Sequence, residues 1–135
     1  MSQLPTDREL EILKVLWTQG EATVREVSES LNSSGADLAY TTVLTLLQIM
    51  DEKQLVEHRK QGKAYVYRAA IERDSTFQNL AKGFLAKVFD GSLEEYVRGA
   101  LDSGSISAKE LDRLSEMVED KKRQRKKRVR KRGSQ

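Results

Sequence analysis

Four polar side chains share one face of a predicted helix and have the chemistry to bind base edges or phosphates. They are Thr41, Thr42, Thr45 and Gln48, on the outward side of a helix expected over residues 40–53. Hydroxyls contact phosphates or base edges, threonine methyls touch thymine methyls, and glutamine pairs bidentately with adenine. A solvated helix face is the alternative. Because threonine is a mediocre helix former, three within five positions favour a function.

A second polar set lies on a β-hairpin predicted directly after that helix. Residues 55–59 and 64–68 space Val and Tyr as strands do, and residues 60–63 form the turn. The candidate contacts to a phosphate backbone are His58, Arg59, Lys60, Lys63 and Tyr65, with Arg68 as a further charge. A hydrophilic turn would explain one or two such charges. Tyr67 is assigned to cross-strand packing, and for Tyr65 packing remains an alternative.

Three helices and the hairpin must position these side chains. Helices predicted over residues 7–19, 24–31 and 40–53 precede the hairpin, and this order describes a winged helix-turn-helix. Helix starts are marked by capping boxes, in which Ser or Thr and a Glu or Gln three residues later satisfy two backbone N–H groups. The matches are Thr6/Glu9, Thr23/Glu26, Ser75/Gln78, Ser92/Glu95 and Ser107/Glu110. The fold class is therefore mainly α with a small β-hairpin, with residues 1–72 as the DNA-binding domain.

Residues 73–120 predict three short amphipathic helices with more apolar surface than so short a segment can bury. A second copy of the chain is the simplest partner, so this segment is expected to be a helical dimerisation domain. The candidate contacts are Phe77, Leu80, Phe84, Leu85, Val88, Leu93, Tyr96, Val97, Leu101, Leu111, Leu114 and Val118.

The charge is divided unevenly along the chain. Ten of the 24 Lys and Arg residues lie within residues 121–132, which leaves 14 against 21 acidic residues in the first 120 positions, a formal −7. Residues 121–135 are expected to be a basic tail without fixed structure that binds a polyanion and adds affinity without specificity. A tail kept for solubility is the alternative.

The residue types exclude several classes of site. The chain has no cysteine and His58 is its single histidine, so no disulfide and no transition-metal site of familiar composition is expected. Nucleophile motifs, phosphate-binding glycine loops and carboxylates paired in a cleft are missing from the pattern, so we expect no catalytic residue and no cofactor. No apolar run approaches a bilayer span and the N-terminus lacks signal-peptide character. A cytoplasmic protein without membrane insertion is expected.

Three stretches resemble the penicillinase-repressor family (BlaI/MecI/CopY) of winged-helix repressors. They read LPTDRELEILKVLWTQGEATVREVSESL, LAYTTVLTLLQIMDEKQLVEHRKQGKAYVYRA and VFDGSLEEYVRGALDSGSISAKELDRLSEMVE. The resemblance implies a homodimer that binds a palindromic operator in double-stranded DNA and represses transcription. It implies that Thr41, Thr42 and Thr45 read bases while the hairpin of residues 55–68, which is the wing of the winged helix, touches the backbone.

The resemblance also bears on release from DNA. In antibiotic-responsive members a membrane sensor protease triggers cleavage of the dimerisation segment, and the family's Asn-Phe cut pair aligns with Gly99-Ala100 here. The copper-responsive branch uses cysteines that this chain lacks, and basic residues common in the family's third helix are replaced by Gln48 and Ile49. Little chain remains for a small-molecule pocket, so a partner or protease is expected to act. The alternative is that the chain is a winged-helix module that docks onto another protein, or one that binds nucleic acid without sequence preference through its basic tail.

Overall fold

The computed structural model describes residues 4–133, with the backbone alone for residues 130–133. The chain forms two compact units, residues 1–84 and 85–135. The helices are α1 (Asp7–Gln19), α2 (Val24–Ser33), α3 (Tyr40–Glu52), α4 (Arg73–Val88), α5 (Leu93–Asp102) and α6 (Ala108–Gly133). The strands are β1 (Ala22–Thr23), β2 (Val56–Gln61) and β3 (Ala64–Ala69).

The first two helices begin at the predicted capping boxes. The Glu9 amide donates to Thr6 Oγ1 at 3.2 Å and the Thr6 amide donates to Glu9 Oε1 at 2.9 Å. Thr23 and Glu26 repeat the same pair of bonds at 3.2 and 2.9 Å. Each box satisfies N–H groups that a helix start leaves without partners, and both predictions are confirmed.

The later helix starts follow the prediction less closely. The hydroxyls of Ser92 and Ser107 accept the predicted amide hydrogen bonds, at α5 and α6. The capping box predicted at Ser75 is wrong, because α4 has already begun at Arg73 and the Ser75 hydroxyl donates to the carbonyl oxygen of Glu72.

A three-stranded antiparallel sheet of order β1-β3-β2 closes the first unit. In the hairpin, His58 lies opposite Tyr67, and Gln61 lies opposite Ala64 across a two-residue turn. The turn begins with Gly62 at φ +63°, a conformation that suits glycine and matches the twist of paired strands. β1, which pairs Ala22 with Tyr67, was not predicted from the sequence.

The core of the first unit joins all three N-terminal helices to the sheet. Its buried side chains are Ile12, Leu13, Leu16, Ala22, Val24, Val27, Leu31, Val43, Leu47, Met50, Leu55, Val56 and Tyr67. Tyr67 is only 3 % exposed, which confirms its packing role. Burial, followed by the nearby Asp51 carboxylate, raises the pKa of the Tyr67 phenol. All of these core side chains belong to the first unit.

The basic stretch is helical where it was expected to lack structure, and that prediction is corrected here. α6 continues through it to Gly133, and Ser134 and Gln135 lie outside the described residues. Lys, Arg and Gln are good helix formers. Lys122 pairs with Glu119 at 3.4 Å, and Arg123 pairs with Asp120, where the acidic and basic parts of the helix meet. These one-turn pairs favour continuation of the helix.

Candidate nucleic-acid interface

The predicted base-contacting residues share the exposed face of α3. Thr41, Thr42, Thr45 and Gln48 are all exposed, while Val43, Leu47 and Met50 are fully buried on the opposite face. The Thr45 hydroxyl donates to the carbonyl oxygen of Thr41 at 2.9 Å, so its lone pairs and methyl group remain available outward. This face presents hydroxyl, methyl and amide groups, which are the kinds of group that base edges can accept as contacts.

The turn between α2 and α3 is fixed by one side chain that sequence analysis did not single out. The Asn32 amide accepts from the backbone N–H of Leu38 at 2.9 Å and donates to the Leu38 carbonyl at 3.1 Å. These two hydrogen bonds join the side-chain amide of Asn32 to the backbone of Leu38. They hold the loop in the way that backbone hydrogen bonds hold a strand or a helix. Leu38 lies two residues before α3 begins at Tyr40.

A buried ion pair ties the other end of α3 to α1. The Glu9 carboxylate, 2 % exposed, accepts hydrogen bonds from Lys53 Nζ at 3.1 and 2.9 Å. Burial alone would raise the pKa of Glu9, but the hydrogen bonds from Lys53 and Thr6 outweigh it and hold that pKa below its ordinary value. Since Lys53 caps α3 at its C-terminus, this pair anchors the candidate recognition helix.

Three of the basic wing side chains already have carboxylate partners within the chain. The Arg59 guanidinium binds both carboxylate oxygens of Glu21, at 3.0 and 3.1 Å, and Arg68 binds Glu57. Hydrogen bonds from Arg59 hold the pKa of Glu21 below its ordinary value, and the same contact raises the pKa of Arg59. These pairs reduce the charge that the wing offers to a polyanion.

His58 forms the third such pair, with Asp51 of α3. Its ring lies 5.4 Å from that of Tyr65 and 5.6 Å from that of Tyr67. The histidine predicted to contact the phosphate backbone therefore joins the wing to the end of α3.

Two lysines supply positive charge at the wing tip. Lys60 and Lys63 are exposed and form no ion pair within residues 4–129. Lys63 and the half-exposed Tyr65 line a cleft of about 930 Å³ between the wing, α3 and the first turn of α2. Exposed Arg25 lines the same cleft. It was not among the predicted site residues, because only the fold brings α2 near the wing.

Comparison with known proteins identifies the family. The family model described as "Penicillinase repressor" matches residues 5–120. The chain belongs to the penicillinase repressor family. Its relatives include the penicillinase repressor of Bacillus licheniformis, 27 % identical over 93 % of this chain and 99 % of the relative. The transcriptional regulator BlaI of Mycobacterium tuberculosis is 39 % identical over 62 % of this chain and 61 % of the relative.

Part of the chain is also similar to a solved structure. The Bacillus licheniformis BlaI monomer, solved in complex with the blaP half-operator, is 30 % identical over 55 % of this chain and 92 % of that one, with a TM-score of 0.46. The penicillinase repressor family member described here is a DNA-binding transcriptional repressor. The expectation that it is not an enzyme is confirmed by membership in a repressor family.

The side chains predicted to join two copies of this repressor are mostly exposed. Those exposed are Phe84, Val88, Leu93, Tyr96, Val97, Leu101, Leu111, Leu114 and Val118. Leu80 and Leu85 are half-buried. Phe77 packs edge-on against Trp17 at 5.6 Å, within the first unit, so its assignment to the dimer remains a prediction.

Groups of three or more His, Asp or Glu side chains suited to a metal ion do not occur within the described part of the chain. Among residues 4–133, the helices lack the combination of length and apolar content needed to cross a bilayer.

Proposed function

We propose that this repressor acts as a homodimer at a palindromic operator, with α3 of each copy in the major groove. The observation that carries the proposal is the exposed face of α3, where Thr41, Thr42, Thr45 and Gln48 stand on a helix anchored at both ends. A recognition helix must be held rigidly, because base contacts depend on geometry. The fixed α2–α3 turn and the Glu9–Lys53 pair supply that rigidity.

The wing is proposed to contact the phosphate backbone, first through Lys60 and Lys63. Both ammonium groups are exposed at the hairpin tip, and phosphate contacts of this kind set register without reading sequence. Tyr65 and Arg25 line the same cleft as Lys63, and they are proposed to contact the phosphate backbone as well. Arg59 is paired with Glu21 and His58 with Asp51, so each must share or release its carboxylate to contact phosphate. Their contributions to DNA affinity are therefore smaller.

Dimerisation is proposed to use the exposed apolar side chains of residues 84–118. α5 has no buried residue, yet Leu93, Val97 and Leu101 form an apolar stripe at helical spacing along it. A symmetric dimer needs one self-complementary patch of this kind. Two copies then present two recognition helices, which is why the operator should be palindromic.

Release from DNA is proposed to follow separation of the dimer by a partner protein or a protease in the cytoplasm. Gly99 and Ala100, at the position of the family's cut pair, lie within α5. Within a single chain α5 has no buried side chain, so in a copy that has separated from its partner local unfolding exposes the α5 backbone at little cost. A membrane sensor protease of the kind found with antibiotic-responsive relatives would supply the cut.

Selection from a pool of randomised duplexes tests the operator assignment. The full chain should enrich sequences with two inverted half-sites, and sedimentation should give two chains for each enriched duplex. Enrichment of one asymmetric site bound by one chain would contradict the dimer. A pool left without any preferred sequence would contradict base recognition by α3.

A further inference from the structure

The C-terminal part of α6 has an extreme charge that the winged helix does not explain. Residues 121–132, here called the basic helix, contain ten Lys or Arg residues, no acidic residue, Gln124 and Val129. Side chains are described through Val129, and every one of them from residue 121 on is exposed. Beyond the first two pairs with Glu119 and Asp120, the four basic residues 125–128 form no ion pair in the part of the chain that the structure describes.

The rest of the chain is poor in free positive charge. Residues 1–84 hold ten Lys or Arg against twelve Asp or Glu, and residues 85–120 hold four against nine. Several of the cations in the first unit are also paired, notably Lys53, Arg59 and Arg68. A DNA-binding unit of this composition gains little long-range attraction to a polyanion. Another segment must supply it.

We propose that the basic helix is a second DNA-binding element that contacts the phosphate backbone of duplex DNA without sequence preference. The inference rests on the proposed DNA binding of the chain and adds a separate site to it. At 1.5 Å per residue, twelve helical residues span about 18 Å. Duplex DNA carries one charge per about 1.7 Å of its axis, so the charge densities match closely. Release of the condensed counterions then drives association.

The charge distribution favours duplex DNA over a membrane or an apolar protein groove. Successive residues in an α-helix are about 100° apart, so the consecutive residues Arg125, Lys126, Lys127 and Arg128 surround the helix. Val129 is the one apolar residue in the basic helix, so there is no apolar face to insert into lipid or into a groove. What remains is charge on all sides, which suits a uniformly charged backbone.

Titration of the full chain against duplexes of arbitrary sequence at several salt concentrations tests the proposal. The test variant changes Arg125, Lys126, Lys127 and Arg128 to Gln, which preserves helix propensity. The matched control changes Lys82, Lys87, Lys109 and Arg113 to Gln, which removes the same charge elsewhere. The test variant should bind at least roughly tenfold more weakly at low salt, and its slope of log K against log salt should fall by about 3.6 for each chain bound, or about 0.9 for each charge removed.

The control should bind within about twofold of the unchanged chain, and circular dichroism should show equal helix content in all three proteins. Equal slopes for the test and control variants would overturn the proposal. The proposal would also be overturned if the test variant lost binding to vesicles with anionic lipid, or to single-stranded RNA, while its binding to duplex DNA stayed unchanged. Measuring affinity for a duplex enriched by selection beside affinity for arbitrary duplexes separates the two proposals. If α3 fails to read bases, the unchanged chain shows no preference for the enriched duplex. If the basic helix contacts the backbone, the test variant loses affinity for both kinds of duplex by the same factor.

Discussion

The two units of the chain differ in whether their apolar side chains are buried. In the first, side chains from three helices and the sheet meet in a closed core, with Ile12, Val27 and Leu47 fully buried. In the second, α5 buries nothing and Leu93, Val97 and Leu101 are exposed. A unit with a closed core can hold a binding surface rigid, whereas an open apolar face is stable once another molecule covers it. The difference supports the proposal that the first unit recognises DNA and the second unit joins two copies.

Removing the same side chain from each unit should have very different effects on folding. Leu47→Ala leaves a cavity in the closed core and should lower the free energy of unfolding of the first unit by about 4 kcal/mol. Leu101→Ala removes an exposed side chain and should leave that transition unchanged. Denaturation followed by the fluorescence of Trp17, the single tryptophan, measures both. Equal losses would show that the second unit contributes to the same core.

A charge in the apolar stripe of α5 should separate the two copies. Val97→Asp would bury an unpaired carboxylate at the interface and should weaken dimerisation by about 3 kcal/mol. Val129→Asp makes the same substitution in the basic helix and serves as the control, which should leave the dimer intact. Analytical ultracentrifugation over a range of concentrations distinguishes them. The assignment fails if both variants sediment as the unchanged chain does.

The buried pair that anchors α3 should make the first unit sensitive to acid. The folded pKa of Glu9 lies below its ordinary value of 4.5, so its ionised form stabilises the fold above that pH. This contribution is lost as the pH falls through the folded pKa. Glu9→Gln should cost about 2 kcal/mol at neutral pH and flatten the acid dependence below about pH 5. Urea denaturation across this range checks the result, and an unchanged pH profile would exclude Glu9 as its source.

The smallest effects are expected from single substitutions at the DNA interface, where base contacts and backbone contacts should change binding differently. Thr45→Ala should change the preference among operator variants by about 1 kcal/mol. Lys63→Ala should weaken all duplexes alike and reduce the salt slope by about one. Competition titrations with enriched and scrambled duplexes measure the two effects. The same uniform loss in both variants would remove the distinction between α3 and the wing.

Sequence patterns predicted what depends on local chemistry. The capping boxes at Thr6 and Thr23 and the exposed polar face of α3 follow from residue spacing within one helix, and the structure confirms them. The Arg59–Glu21 and Lys53–Glu9 pairs join residues 38 and 44 positions apart, so they appear only once the chain is folded. The helix of residues 121–133 was missed because it has no apolar periodicity, which is the main signal of helices in sequence.

In the proposed complex two first units, held together by two second units, recognise one symmetric site. Footprinting of the full chain on an enriched duplex tests this arrangement. The prediction is two equally protected half-sites, separated centre to centre by about one helical turn of DNA or a whole multiple of it, that appear together as protein is added. Protection of one half-site at a time, at protein concentrations where the chain is a monomer, would contradict it.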